Sequence, residues 1–302
     1  MKTEIWVDGL LDVPRTLQRF RLWGEDPANH LSPGVFRRAV NVGGRWCGYE
    51  VRWSGSVENP RLLVSTKGER SARVLEAALD EVARICSLGL DVGEFYRAAK
   101  QDRVLSSLVP PLRGLRPTLA PQPFEMLVGT VCAQQVNLSF AFTLKARLVR
   151  RFGTAVEVGG HTVYGFPEAA RLARARVGEL RRMQLTTRKS EYIVGLARRV
   201  ASGALDLAAL GARSNEDVIE ALTAVRGFGR WTAEWFLARH LGRGDVCAAG
   251  DLAVRRAFEH FYNRGRPLDE AAVRRRAAGW GPYQNMAVHY LLAGRQLGAA
   301  AA

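Results

Sequence analysis

Leu222–Leu241 reads LTAVRGFGRWTAEWFLARHL, and the fold of the surrounding half of the chain follows from it. One helical run ends near Ala224. Val225-Arg226-Gly227-Phe228-Gly229 has the composition of a tight turn, and Arg230 starts a second helix. Two glycines two positions apart permit positive φ and close backbone approach. The second helix opens with unpaired N–H groups and a partial positive charge, where a phosphate is a natural ligand. A nucleotide fingerprint GxGxxG would need glycine where Thr232 stands, and a Walker loop would need four residues between its glycines followed by Gly-Lys. Two readings remain: a helix-hairpin-helix phosphate clamp, or an ordinary helix corner with a C-cap glycine.

Outward from the hairpin the sequence is helical. Apolar periodicity predicts helices over Phe124–Gln135, Leu138–Phe152, Pro167–Arg174, Val177–Gln184, Thr187–Ser202, Asn215–Ala224, Arg230–Leu241, Leu252–Phe261, Asp269–Ala278 and Tyr283–Gly294. Upstream, VPPLRGLRPTLAPQP at 109–123 holds five prolines in fifteen residues and cannot be a helix interior. Before it, Glu4–Val7, Val35–Val42, Arg45–Trp53 and Arg61–Ser65 have strand composition, with helices near Thr16–Leu22 and over Ser71–Leu88. The expected architecture is an α+β N-terminal domain (1–110), a Pro-rich linker (111–123) and an all-α region (124–302) with its helix-hairpin-helix at about 215–241.

The 302 residues are 47% hydrophobic, enough for real cores, and carry a formal charge of +15. Residues 1–100 hold 15 Lys and Arg against 13 Asp and Glu, so nearly all the excess lies downstream, with 13 basic and 4 acidic residues between Lys145 and Arg199. That balance favours a polyanion, nucleic acid first, at the second region, against the plainer reading of charge as dispersal. Cys47, Cys86, Cys132 and Cys247 form no CxxC pair, which argues against an iron–sulfur cluster or zinc site and suits reduced core thiols. The five histidines are scattered without HExxH spacing. No run of about 18 apolar residues is present, and the acid-interrupted start MKTEIWVDGLLDVPR is not that of a signal peptide. A cytoplasmic, nucleoid-associated protein without a membrane partner is expected.

LTAVRGFGRWTAEWF followed by DVCAAGDLAVRRAF resembles the signature of the helix-hairpin-helix DNA glycosylase superfamily, and above all the bacterial DNA-3-methyladenine glycosylase II family. PFEMLVGTVCAQQVN is similar to that family's first catalytic-region helix and DNA-wedge loop, and WGPYQNMAVHYLL to its closing helix. The likeness covers about residues 120–294, and the first 110 residues agree in the order of their elements only. It implies that Asp251, 22 residues beyond Gly229, is the catalytic carboxylate; read alone, Asp251 is also a favoured N-cap for LAVRRAF. Strand-cutting members carry a lysine two residues past the last hairpin glycine; Trp231 stands there, which implies a monofunctional enzyme without abasic-site lyase activity.

A carboxylate suits the chemistry, because breaking an N-glycosidic bond leaves positive charge on the sugar. The resemblance places Trp231 and Trp235 in the base pocket, where indole faces attract a cationic alkylated base; at helical spacing they are equally read as core. It makes Gln135, in the loop Gln134–Asn137, the residue that fills the vacated stack, although many relatives use a bulkier apolar group there and a simple polar loop is the alternative. The N–H groups of Gly227 and Gly229 are expected to hold a DNA phosphate, joined by the Thr232 hydroxyl. A structural Na+ or K+ is expected on the carbonyls of Thr223, Val225 and Phe228, with no cofactor required. The resulting expectation is a monomeric glycosylase that flips alkylated, 3-methyladenine-like bases from double-stranded DNA. The rivals are a glycosylase for deaminated or oxidised bases and a non-catalytic helix-hairpin-helix DNA-binding protein.

Overall fold

The computed structural model describes residues 1–68 and 71–301. Strands β1 (Lys2–Trp6), β2 (His30–Ser32), β3 (Val35–Val42), β4 (Arg45–Ser54) and β5 (Arg61–Lys67) form an antiparallel sheet in the order β1-β5-β4-β3-β2. Helices α1 (Val13–Leu17) and α2 (Arg19–Leu22) precede β2, and α3 (Ala72–Ile85) follows β5. Val74, Ala78, Val82 and Ile85 recur at helical spacing on α3 and bury against Phe36, Tyr49, Val51, Leu62 and Val64 of the sheet.

The next two helices depart from expectation. Asp91 caps α4 (Val92–Ala99) and Asp102 caps α5 (Arg103–Leu108), each accepting two backbone N–H bonds. Val92, Phe95, Ala99, Leu105 and Leu108 bury not with the sheet but with residues 247–291. The sheet unit therefore ends near residue 88, not 110. Two one- or two-turn helices leave too short a periodic pattern to be read from sequence.

Nor is the proline-rich stretch a loose linker. Leu112, Leu115, Arg116 and Thr118 are buried. The Arg116 guanidinium donates to the carbonyls of Asp8, Leu10, Ser87 and Leu88, welding the strap to the N-terminal unit.

Beyond the strap run α6 (Pro123–Ala133), α7 (Leu138–Phe152), α8 (Ala169–Ala173), α9 (Val177–Arg181), α10 (Thr187–Ala201), α11 (Asn215–Thr223) and α12 (Arg230–Phe236). A π-helical turn at Leu237–Leu241 then leads to α13 (Leu252–Tyr262), α14 (Glu270–Ala278) and α15 (Gln284–Ala301). This region is not all-helical. A hairpin of β6 (Thr154–Val158) and β7 (His161–Gly165) turns at Gly159-Gly160, and its Val158 and Val163 pack on Ala39 and Trp46 of the N-terminal sheet. The Gly-Gly pair between β-branched residues was the local signal. No helix among the described residues is long and apolar enough to cross a membrane.

Two large cores result. Helices α6, α7, α10, α11 and α12 build one; α4, α5, α13, α14 and α15 build the other; Trp235 packs against both. A buried ionic network joins the first core to the sheet. Arg38 donates to Glu81 and Glu125, and Lys145 donates to Asp26 and Glu125, at 2.7–3.0 Å. Burial alone would raise the Glu125 pKa, but Arg38 and Lys145 outweigh it and hold the carboxyl well below the usual carboxylate range.

Candidate active site

Asp251 is the N-cap of α13. Its Oδ1 accepts from the N–H groups of Ala253 and Val254 at 2.8 and 3.1 Å. The second oxygen is held from another element: Oδ2 accepts from the indole N–H of Trp231 at 2.8 Å and of Trp235 at 3.1 Å. The two indoles lie one turn apart on α12, so their N–H groups converge. The capping and site readings of Asp251 thus coexist on different oxygens. Four donors orient a half-buried carboxylate without closing it from solvent.

The two indoles are not equivalent. The Arg239 guanidinium lies 5.3 Å from the ring centroid of Trp235, and His289 meets that ring edge-on at 6.4 Å. Trp231 is half-buried, and among the described residues no cation or aromatic ring stacks on it. Of the two indoles, Trp231 is the one with neither kind of partner among the described residues.

The hairpin turn runs from α11 to α12. Gly227 has φ +90°, and a Cβ there would run into the Tyr192 ring, so glycine is required twice over. At Gly229, the exposed N-cap of α12, a Cβ would meet open space. The protein's own packing thus leaves the backbone at Gly229 approachable from outside. Thr232 is only 1% exposed, which corrects the expectation that its hydroxyl reaches a phosphate: it faces the core beside Ala233 and Phe236. Thr223, Val225 and Phe228 stand at the end of α11 and around the turn. The Val225 carbonyl accepts from the Phe228 N–H at 3.0 Å and keeps a second lone pair.

The loop after α6 is tied to this turn. The Gln134 side-chain amide donates to the Gly227 carbonyl at 2.9 Å, a brace that sequence reading missed. The next residue, Gln135, is exposed with φ +56°, and Asn137 caps α7. Exposed Leu138, the first residue of α7, adds an apolar side chain next to this loop, and exposed Leu252 adds one beside Asp251.

Arg239 and His289 meet the Trp235 ring, and Arg19 joins Arg239 at Thr118; none had a clear signal in the sequence, except that Arg239 stands four residues from Trp235. The π-helical turn changes the helical phase after α12. The main chain of Arg239 and the ring of His240 then clamp both backbone groups of Ala120 in the strap, at 2.7 and 2.8 Å. Arg239 and Arg19 of α2 both donate to the buried Thr118 hydroxyl, at 3.4 and 3.2 Å. Both are half-buried, and neither is ion-paired among the described residues. Burial first, then the Arg19 charge, lower the Arg239 pKa, with Asp251 opposing. His289 is kept neutral by burial and by the Arg239 and Arg19 charges. Its Nδ1 bonds the Asn285 carbonyl at 2.8 Å, while Nε2 is buried with no partner among the described residues.

The cysteines lie apart: Cys47 and Cys86 in the sheet core, Cys132 and Cys247 one in each helical core. Burial pushes the thiols of Cys86, Cys132 and Cys247 up to about 12.

Residues 128–282 match the model of the HhH-GPD superfamily of base excision DNA repair proteins. The chain is 33% identical over 201 residues to a DNA-3-methyladenine glycosylase of Bacillus subtilis (strain 168), an alignment spanning 67% of this chain and 66% of that protein. It is 26% identical over 178 residues to DNA-3-methyladenine glycosylase 2 of Escherichia coli (strain K12), covering 59% of this chain and 60% of the relative. Among solved structures, a 3-methyladenine DNA glycosylase from Archaeoglobus fulgidus superposes with a TM-score of 0.87 at 29% identity, covering 98% of both chains.

Proposed function

The chain belongs to the HhH-GPD superfamily of base excision DNA repair proteins, and from that premise we propose that it is a monofunctional DNA glycosylase hydrolysing the bond between deoxyribose and an N-alkylated, 3-methyladenine-like base. One observation carries the reading: a carboxylate gripped by two indole N–H groups and a helix N-terminus, in the same motif as a glycine hairpin. The relatives' names supply the substrate class.

The base flips out of the duplex, at least cost where its pair is weakened. The Gly227–Gly229 turn grips the backbone, and the braced loop with Gln135 enters the gap. The alkylated ring stacks on Trp231, a cation–π contact of about 0.5–2 kcal/mol. As the C1′–N bond breaks, the fixed Asp251 charge stabilises the oxocarbenium-like sugar and orients the attacking water. Trp231 occupies the position of a strand-cutting relative's lysine and offers no amine, so the abasic site is left intact. The carbonyls of Thr223, Val225 and Phe228 are neutral oxygen donors at a helix C-terminus, which fits a monovalent cation; bound there it would steady the turn against the phosphate.

The test is base release from alkylated duplex DNA by wild type and Asp251→Asn, with free bases measured by chromatography. Wild type should release 3-methyladenine, the variant at least about 10²-fold more slowly. Equal release by both would overturn the assignment. A protein that binds DNA yet releases no base would be a binding module.

A further inference from the structure

Arg255 stands one helical turn beyond Asp251, its N–H bonded to the Asp251 carbonyl at 2.9 Å, and the reaction just described does not use its side chain. Residues four apart share a helix face, so Arg255 lies between two carboxylates, Asp251 before it and Glu259 after it. Other arginines of the protein close such pairs, Arg230 with Glu234 and Arg274 with Glu270. Arg255 closes neither. Both oxygens of Asp251 are engaged by backbone and indole N–H groups, and Glu259 accepts from the Leu268 N–H at 3.0 Å. Among the described residues the Arg255 guanidinium has no ion pair, and its Nε is buried with no acceptor. An unmet buried donor costs free energy, which an incoming oxygen acceptor would recover as the side chain turns to it. Leu252, three residues earlier and 53% exposed, shows that this face of α13 reaches solvent. Side chains on a helix lean toward its N-terminus, which directs Arg255 toward the Asp251 end.

We propose that Arg255 forms a second DNA-phosphate site, separate from the Gly227–Gly229 turn, which binds a phosphate flanking the extruded nucleotide and so holds its sugar against Asp251. The inference rests on the glycosylase reading above. A nucleotide whose C1′ lies at Asp251 carries phosphates on both sides of its sugar. One helical turn is about 5.4 Å, within the span of an arginine side chain. A guanidinium offers a planar fork of N–H donors that matches two phosphate oxygens, and the contact is charge-assisted. The charge balance points the same way. An unneutralised cation beside a sugar that becomes positive would oppose bond cleavage, and a bound phosphate cancels it. Arg255 is therefore a positioning residue: it touches the DNA backbone and acts on the reaction through the placement of the sugar.

The test pairs changes in the protein with changes in the DNA. Fluorescence anisotropy measures the affinity of wild type, Arg255→Gln and Arg255→Lys for a duplex holding a tetrahydrofuran abasic analogue, which cannot be turned over. A series of such duplexes each carries one neutral methylphosphonate in place of a phosphate around the analogue. Arg255→Gln should bind the all-phosphate duplex about tenfold more weakly and reduce the slope of log affinity against log salt by about one, with Arg255→Lys in between. One methylphosphonate beside the analogue should weaken wild type by a similar factor and Arg255→Gln hardly at all, because both changes remove the same contact. In base release from methylated DNA, the loss in Arg255→Gln should fall more on KM than on the rate at saturation. A merely structural role would lower affinity for every duplex alike, so that the two losses multiply. Losses that multiply at every flanking position, or an unaltered affinity in Arg255→Gln, would overturn the proposal, while base release by wild type leaves the glycosylase assignment standing. A wild type that releases no base would overturn that assignment and with it the reaction centre beside which Arg255 is placed.

Discussion

The Trp231 indole nitrogen sits 2.8 Å from Oδ2 of Asp251, so a residue expected to stack on a base also orients the carboxylate. Trp231→Phe keeps an aromatic face and removes only that donor. Single-turnover base release should fall roughly tenfold to a hundredfold with little change in DNA affinity, the range expected for one lost orienting hydrogen bond. An unchanged rate would show that the capping bonds alone hold Asp251.

Gly227 and Gly229 should separate stability from binding. Gly227→Ala puts a Cβ at positive φ against Tyr192 and should destabilise the fold by about 1–3 kcal/mol, read from urea unfolding. Gly229→Ala meets open space, so its unfolding midpoint should stay within experimental error while DNA affinity drops. An unaltered affinity would remove Gly229 from the proposed phosphate grip.

The positive charge concentrated downstream of residue 100 should make binding salt-sensitive. Raising salt from about 50 to about 200 mM should weaken duplex binding by orders of magnitude if six or more phosphates are contacted. Fluorescence anisotropy on an undamaged duplex measures this, and a flat response would contradict a basic DNA face.

Stability should decline below neutrality through His240. Burial, with Arg84 adding, lowers its pKa to about 4 from an ordinary 6.5, against the Ala120 hydrogen bond. The unfolded chain binds a proton below about pH 6.5 that the native protein refuses. This contribution is complete above pH 6.5 and is lost as pH falls toward 4, by up to about 3 kcal/mol. Burial and nearby arginines shift His289 the same way. Glu125, lowered by Arg38 and Lys145 against burial, adds its own loss only below about pH 4.5. His240→Asn, which keeps an N–H toward the Ala120 carbonyl, should flatten the melting temperature between pH 7 and 5. An equal slope in wild type and variant would locate the titration elsewhere.

The local framework of the candidate site was legible in the sequence. The Gly-Phe-Gly turn, the helix after it and Asp251 at the next helix start are local patterns, and strand β3 over Val35–Val42 coincides with its predicted span. Helices α4 and α5 were too short for periodicity to reveal. The β6–β7 hairpin lay in a region whose helices dominated the reading.

What the amino-acid order determined by itself is whatever near neighbours in the chain decide: turn chemistry, caps, amphipathic faces and the net positive charge. Tertiary structure alone decided that both indole N–H groups meet one oxygen of Asp251, and that Arg19 and Arg239 share Thr118 from 99 and 121 residues away. It also decided that Thr232 faces inward. The reason is physical. Propensity and periodicity act over a few residues, whereas convergence of side chains depends on how whole helices are held by cores and buried ion pairs whose members are far apart in the chain.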